Sequence, residues 1–429
     1  MNPSFLRCAD PSCAGQVQAN GIAYACARCG GLLEVGYGLP PSDPAEWPGL
    51  WGRRRDGESA ADRSGVWRFR ELLPFLGLDV APVSLGEGST PLVDTGRAGA
   101  WAGLSQLAVK HQGANPTGSF KDLGMTACIS HALSQRAQVV ACASTGNTSS
   151  SMAAYAARAG LRAILFVPGG AVSSAKLAQA IDFGALVVET GDNFDQAFGL
   201  LRAVAEQLGW YVVNSINPYR IEGQKTVIVE LLEQRGWRCP DYVVVPGGNL
   251  GNVSAIGKGL RELSAHGLID KIPRLVVVQA EGSDPFFQLW SSGSPELEPL
   301  AAPATRATAI RIGNPANWAK ARRVLQWSEG LCESVSDPEI LAAKQALSAD
   351  GIGCEPASAA TVAGLRKLRQ RGQIEADADV VAILTGHQLK DVDYILELAS
   401  DRSAGRLLRL EPDPKSAPEI LSTWLATVV

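Results

Sequence analysis

Val243-Val244-Val245-Pro246-Gly247-Gly248-Asn249-Leu250-Gly251-Asn252 carries an apolar strand pattern, beginning at Tyr242, through a glycine-rich turn into a helix pattern from Val253. Glycine lets the backbone approach an anion closely, and a helix start adds unpaired amides and positive potential. The turn lacks the Lys-Ser/Thr pair of a nucleotide P-loop and the spacing of a dinucleotide fingerprint. A small phosphorylated ligand therefore fits it better than a nucleotide. Such turns also exist without ligands, so the neighbouring pattern has to carry the reading.

Outward from this turn, candidate strands lie at Leu107–Lys110, Val139–Cys142, Ala163–Val167, Leu186–Glu189 and Tyr211–Val213 on one side, and at Leu275–Val278 and Val380–Leu384 on the other. Most are separated by roughly ten to fifteen residues of helical spacing, such as Ser173–Phe183 and Phe194–Leu208. Strand, helix, strand at this interval predicts right-handed crossovers and parallel sheets covered on both faces, an α/β chain. The expected division is a Cys- and Gly-rich segment at 1–37, a connector at 38–90, a first α/β domain at 91–215 and a second at 216–429. The connector is rich in Pro, Trp and Arg, with one expected helix near Arg68–Leu76. Ser291 to Pro303 reads as an exposed loop.

Bulk properties bound the function. A length of 429 residues suggests two domains, and 46% hydrophobic with 19% charged residues is ordinary for a soluble chain. The net charge of −4 is mixed along the sequence, with no basic block for nucleic acid and no basic amphipathic helix for a membrane surface. No apolar run is long enough to span a bilayer, and the first eight residues lack a secretory pattern. The nine cysteines are an odd number, and Cys128, Cys142, Cys239, Cys332 and Cys354 are scattered as small hydrophobes. A reducing compartment, the cytoplasm, is expected.

Three further segments sit beside predicted strand ends or helix starts. Asn115-Pro116-Thr117-Gly118-Ser119-Phe120-Lys121-Asp122 places a lysine before a helix pattern. The positive end of a helix and apolar neighbours both favour the neutral amine, which attacks aldehydes. A capped helix with a solvated lysine is the plainer reading. Ala143-Ser144-Thr145-Gly146-Asn147-Thr148-Ser149 follows a strand and could hold a carboxylate or a phenolic oxygen, or simply cap a helix. Ala382-Ile383-Leu384-Thr385-Gly386-His387 offers a neutral hydroxyl, Thr385, that would leave a pyridine nitrogen unprotonated. Each is ambiguous alone. A lysine, a phosphate cup and two polar turns together are hard to explain as packing.

With those residues in view, the chain resembles the threonine synthase family, within the fold-type II (tryptophan-synthase-like) pyridoxal-phosphate enzymes. The likeness spans roughly residues 83–400. It rests on GEGSTPL (86–92), NPTGSFKDLGM (115–125), STGNTS (144–149), NSINPYRIEGQKT (214–226), GGNLGN (247–252), ATAIRIGNPANW (307–318), EPASAA (355–360) and LTGHQLKD (384–391). The resemblance implies two three-layer α/β domains with a short N-terminal extension. It implies that Lys121 carries pyridoxal 5′-phosphate as a Schiff base, Asn147 contacts the ring hydroxyl, and Thr385 meets the ring nitrogen. Gly248, Asn249, Leu250, Gly251 and Asn252 would wrap the cofactor phosphate. The family's substrate-phosphate pocket maps onto Thr148, Asn214, Ser215, Arg220 and Asn249, and a guanidinium suits phosphate geometrically. Leu123 stands where the family shows Arg, and Gly247-Gly248 doubles a simpler turn.

The implied reaction converts O-phospho-L-homoserine and water into L-threonine and phosphate. Lys121 would take the α-proton, loss of a β-proton would expel the γ-phosphate, and water would add at the β-carbon. The expected partner is thus a small molecule, with a homodimer as the candidate assembly. Two rivals stand beside this reading. One is another synthase or lyase on a phosphorylated amino acid, similar to cysteate synthase. The other is a non-catalytic paralogue that binds ligand as a regulator, against which the intact lysine weighs.

Near the N-terminus, four residues separate Cys8 from Cys13 and two separate Cys26 from Cys29, with twelve between the pairs. Two such pairs followed by Gly30-Gly31 resemble a zinc ribbon, in which four thiolates close a tetrahedral structural site. So small a segment gains its fold from the metal. Free cysteines are the alternative.

Overall fold

The computed structural model describes residues 4–400 and 416–428, apart from 14, 19–21, 78–79, 170–174 and 192–193. The strands are β1 (Phe5–Cys8), β2 (Gln16–Gln18), β3 (Leu33–Gly36), β4 (Leu92–Asp94), β5 (Gln106–His111), β6 (Val139–Ala143) and β7 (Arg162–Val167). After them come β8 (Leu186–Glu189), β9 (Tyr211–Val212), β10 (Tyr242–Pro246), β11 (Arg274–Ala280), β12 (Leu331–Val335) and β13 (Asp379–Leu384). All eight strands expected from the sequence are among them.

They form three sheets. A six-stranded sheet runs β12-β11-β10-β13-β5-β4, parallel throughout except for β4 against β5. A four-stranded sheet runs β8-β7-β6-β9, all parallel. A small antiparallel sheet, β2-β1-β3, lies at the N-terminus.

Alternation along the strands makes the layers. Val243 and Val245 enter one hydrophobic cluster while Val244 enters another; Leu275 and Val277 separate from Val276 and Val278 in the same way. In the smaller sheet, Val140 and Cys142 face one cluster, and Ala141 and Ala143 face the other. A strand buried on both faces needs apolar residues at every position, because neighbouring side chains point oppositely. Each fully buried valine contributes about 1.5 kcal/mol or more.

The linear division at 91–215 and 216–429 does not follow these sheets. β4 and β5 lie inside the six-stranded sheet, where β5 pairs with β13 from Asp379↔Gln106 to Leu384↔His111. The four-stranded sheet is built only from β6–β9. Compactness divides the chain into 1–390, which holds all three sheets, and 391–429, which holds the helices Val392–Ser400 and Ala417–Val428.

Local expectations held unevenly. The helix Phe194–Leu208 has the expected bounds, and the helix expected from Ser173 is described at Ala175–Asp182, with 173–174 outside the described residues. The helix expected near Arg68–Leu76 is instead a 3-10 stretch, Trp67–Leu72, with a non-helical Phe69. Pro74 explains the early stop, since proline disfavours helical geometry in the residue before it and cannot donate to the preceding turn. The 291–303 region is mostly exposed loop, and its last residues, from Pro299 to Pro303, border the main cavity.

Candidate active site

A cavity of about 760 Å³ opens at the carboxyl ends of β6, β10 and β13. Ligands in parallel α/β sheets bind at such strand ends, beside the helix starts that follow. Lys121, Asn147, Thr148, Asn214, Ser215, Arg220, Thr385 and the turn from Gly248 to Asn252 all line it. The structure therefore brings together every cofactor- and substrate-site residue expected from the sequence.

Lys121 opens the helix Lys121–Ser134. The preceding loop is tied to the end of β13, where Phe120 N donates to Thr385 O at 2.9 Å and His387 N to Gly118 O at 2.9 Å. The next residue, Asp122, accepts from Thr117 N at 2.7 Å, Thr117 Oγ1 at 2.6 Å and Ser151 Oγ at 2.6 Å, which fixes the loop's shape. Lys121 itself is half-buried, with Nζ 4.1 Å from the Phe120 ring centroid. Burial, reinforced by the Arg220 guanidinium and opposed by Glu355, pushes its amine down to about 7. A large share of the amine is then neutral near physiological pH.

Arg220 reaches the same cavity because two helices cross closely where each presents a glycine. At Gly124, a Cβ would lie 2.9 Å from Arg220 O, and at Gly223 it would overlap the Leu123 carbonyl. The helix Pro218–Gln224 therefore lies directly on the lysine helix. Leu123 is buried there in the apolar cluster, so no charge is needed at that position. Arg220 is 2% exposed; Nη1 donates to Val213 O at 3.2 Å, and Nε has no partner. Among the described residues no carboxylate pairs with it, and burial pushes its guanidinium below the usual value. A buried, unpaired cation is costly unless an anion joins it.

The glycine turn forms a cup. Leu250 takes a left-handed conformation (φ 60°) as the N-cap of the helix Gly251–Ala265. Among the described residues, the amides of Gly248, Asn249, Leu250, Gly251 and Asn252 have no acceptor, as expected at a helix start. A Cβ on Gly248 would stand 3.1 Å from Ala309 O, so a larger residue would push on the opposite wall. Asn249 Oδ1 accepts from Ala316 N at 3.2 Å, and Asn249 O accepts from Asn317 N at 3.2 Å, holding the cup against 316–317. Asn252 Nδ2 is buried without a partner.

Asn147 and Thr385 meet through a residue not singled out from the sequence. Asn147 Nδ2 donates to Glu355 Oε2 at 3.0 Å, and Thr385 Oγ1 donates to Glu355 Oε1 at 3.2 Å. Thr385 Oγ1 also lies 3.0 Å from Ser358 Oγ. Glu355 is 1% exposed. It opens EPASAA (355–360), one of the segments of the family likeness, but an acidic residue before the helix Pro356–Gln370 is also the mark of any N-terminal helix flank, and its contacts with Asn147 and Thr385 appear only in the fold. Asn214 lines the cavity but is tied to the end of β6: Ala143 N donates to its Oδ1 at 3.1 Å, and its Nδ2 donates to Ala143 O at 2.9 Å. Thr148 and Ser215 are half-buried on the wall.

Away from the cavity, the sulfurs of Cys8, Cys13, Cys26 and Cys29 lie within 4.8 Å of one another. Cys8 Sγ and Cys29 Sγ are 3.4 Å apart, and Cys13 Sγ and Cys26 Sγ 3.7 Å. Tetrahedral zinc with Zn–S near 2.3 Å would set sulfurs about 3.8 Å apart. Asp10 N and Gly31 N each donate to a thiol, Cys8 and Cys29, at 3.4 Å. Four sulfurs so placed could all reach one metal ion.

A family model described as pyridoxal-phosphate dependent enzyme matches residues 83–386. The threonine synthase of Methanosarcina acetivorans is 44% identical over 398 residues, covering 92% of this chain and 94% of that protein. The threonine synthase of Methanocaldococcus jannaschii is 42% identical over 410 residues, covering 95% and 98%. Among solved structures, maize serine racemase superposes with a TM-score of 0.60 at 22% identity, over 72% of this chain and 92% of that one. The processed form of threonine deaminase isoform 2 from Solanum lycopersicum does so with a TM-score of 0.61 at 20% identity, over 72% and 88%. No helix among the described residues is long and apolar enough to cross a membrane.

Proposed function

The chain belongs to the pyridoxal-phosphate-dependent enzymes and, within them, to the threonine synthase family, and from that membership we infer that it converts O-phospho-L-homoserine and water into L-threonine and phosphate. The observation that carries the choice of a phosphorylated substrate is Arg220, a buried guanidinium without a carboxylate partner among the described residues, in the cavity that also holds Lys121.

The residues present fit the cofactor. Lys121 has an amine poised to be neutral, the cup offers five unengaged amides, and Asn147 Oδ1, Ser119 Oγ and Asn252 Nδ2 are buried without partners. Pyridoxal phosphate, when bound, supplies an aldehyde that captures amines and a conjugated ring that spreads carbanion charge. We assign its phosphate to the amides of 248–252, its ring hydroxyl to Asn147 and its ring nitrogen to Thr385. The Thr385 hydroxyl, whose one proton goes to Glu355 in this structure, would turn that proton to the ring nitrogen, a far weaker acid there than a carboxyl group.

The chain's own groups then divide the remaining work. Nζ of Lys121, once free, removes the substrate α-proton and later returns a proton to carbon. Arg220, with Thr148, Ser215 and Asn249, holds the substrate phosphate; its bond to Val213 O restricts the fork to one orientation. Asn214 shapes this pocket through Ala143 and has one amide proton left for the ligand. Pro299, Leu300, Ala301 and Pro303, with residues 308–314, complete the wall of the cavity. Zinc on Cys8, Cys13, Cys26 and Cys29 would be structural, since four thiolates leave no open position. A cytoplasmic setting belongs to the same reading, supported by Cys128, Cys142, Cys239, Cys332 and Cys354, none of which is in a disulfide.

The deciding experiment is phosphate release from O-phospho-L-homoserine with the organic product identified. L-Threonine is expected. Turnover of O-phosphoserine with sulfite instead would establish the cysteate-forming alternative, and cofactor binding with no turnover of either would establish a non-catalytic binder.

A further inference from the structure

β9 is an edge strand, and edge strands leave outward N–H and C=O groups to be satisfied. At Val212 both are met by side chains. Tyr24, from the N-terminal cysteine module, accepts from Val212 N at 2.7 Å, and Asn217 Nδ2 donates to Val212 O at 2.9 Å. Asn217 also caps the arginine helix, its Oδ1 accepting from Tyr219 N at 3.0 Å. Val213, one residue on, gives the carbonyl that holds Arg220. The module grips the far end of this stretch as well. Tyr219 is buried in the module's own core with Leu6, Leu33 and Val35. Lys258 Nζ donates to Val35 O at 2.6 Å and Lys320 Nζ to Leu33 O at 3.0 Å, which fixes β3 against the larger body.

The nine residues from Val212 to Arg220 are thus held at both ends by the module, and they contain Asn214, Ser215 and Arg220. We propose that Tyr24 is a positioning residue for the phosphorylated substrate, acting through Val212 to keep Arg220 aimed into the cavity. The N-terminal module is then part of the substrate site's scaffold although none of its residues touches the cavity. This rests on the reading of Arg220 as the substrate-phosphate ligand.

The test uses the full-length, cofactor-loaded protein with Tyr24→Phe and, in parallel, Arg220→Ala. Tyr24→Phe removes the acceptor and leaves a buried amide unmet, so KM for O-phospho-L-homoserine and the inhibition constant of inorganic phosphate should rise together by about 5- to 10-fold. Turnover number should stay within about twofold, and the borohydride-reduced lysine adduct should keep its stoichiometry. Amide hydrogen exchange should quicken in peptide 209–221 and not in the helix Gly251–Ala265. Unchanged KM, or a raised KM without faster exchange in 209–221, overturns the proposal. If Arg220→Ala leaves phosphate inhibition intact, the phosphate reading fails and the proposal falls with it. If Arg220→Ala loses inhibition and Tyr24→Phe does not, the proposal alone falls. Should Tyr24→Phe not fold, the Val212 amide of the unaltered protein must be among the slowly exchanging amides of peptide 209–221, as its bond to Tyr24 requires; fast exchange there overturns the proposal too.

Discussion

Asn147 donates its amide to a carboxylate oxygen of Glu355 at 3.0 Å, and that contact settles which way the carboxamide points. An ionised carboxylate only accepts, so the NH2 group must face Glu355 and Oδ1 must face away from it. The same carboxylate takes the Thr385 hydroxyl, so one buried charge sets both residues assigned to the cofactor ring.

Glu355→Gln should therefore lower kcat by about 10- to 100-fold while the lysine adduct is retained, because charge-assisted hydrogen bonds to two site residues are lost. Glu355 also opposes the depression of the Lys121 amine. In the cofactor-free variant, the midpoint for acylation of Lys121 should accordingly move to a pH below about 7. An unmoved midpoint and an undiminished kcat would remove Glu355 from the site.

Capture of the cofactor by the cofactor-free protein should accelerate as pH rises through about 7 and then level off, since burial holds the Lys121 amine there. An ordinary lysine would keep gaining rate toward pH 10. Lys121→Ala should abolish the borohydride-reducible yellow adduct. A persisting adduct on a different lysine would refute the assignment.

Arg220→Ala should raise KM for O-phospho-L-homoserine by about 100-fold, in keeping with a buried charged hydrogen bond to phosphate, with cofactor retention little changed. Equal loss of cofactor and substrate binding would count against the division between the amide cup and the guanidinium.

Metal analysis of freshly purified protein should find one zinc per chain, released by a chelator together with loss of protection in β1–β3. No zinc in fresh protein would end the ribbon reading, whatever the sulfurs' spacing.

His131 stacks on Tyr219 at 3.4 Å with an interplanar angle of 16°, and its Nδ1 lies 2.8 Å from Tyr211 OH. Burial pushes it down to about 3, from an ordinary value of 6.5. A histidine kept neutral in the native state contributes stability above the unfolded value and loses it as pH falls toward the folded one. Urea unfolding should thus show His131 lowering stability by up to about 1.4 kcal/mol per pH unit from about pH 6 to pH 3. His131→Gln should lack that part of the slope; identical slopes would place the acid sensitivity elsewhere.

Much of the architecture was readable because a strand buried on both faces is apolar along its buried run, as β10, residues 275–278 of β11 and residues 380–384 of β13 are. β12 was not readable, because Glu333 and Ser334 interrupt it. Both are buried there only because Arg371 pairs with Glu333 at 2.6 Å and Ser334 donates to Asp284 at 2.7 Å, partners far away in sequence. The domain boundary failed for a related reason. Local periodicity identifies β5 as a strand but says nothing about its neighbour, which is β13, more than 270 residues later.

The sequence by itself determined the lysine at a helix start, the glycine cup and the paired cysteines, since each is complete within a short stretch whose backbone geometry is set by its own residues. Only the tertiary structure decided that Glu355 faces Asn147, that Arg220 is buried without a countercharge, and that Tyr24 closes the edge of β9. Those facts depend on which distant surfaces meet. Side-chain burial and hydrogen-bond satisfaction are properties of the packed whole, and no local pattern encodes them.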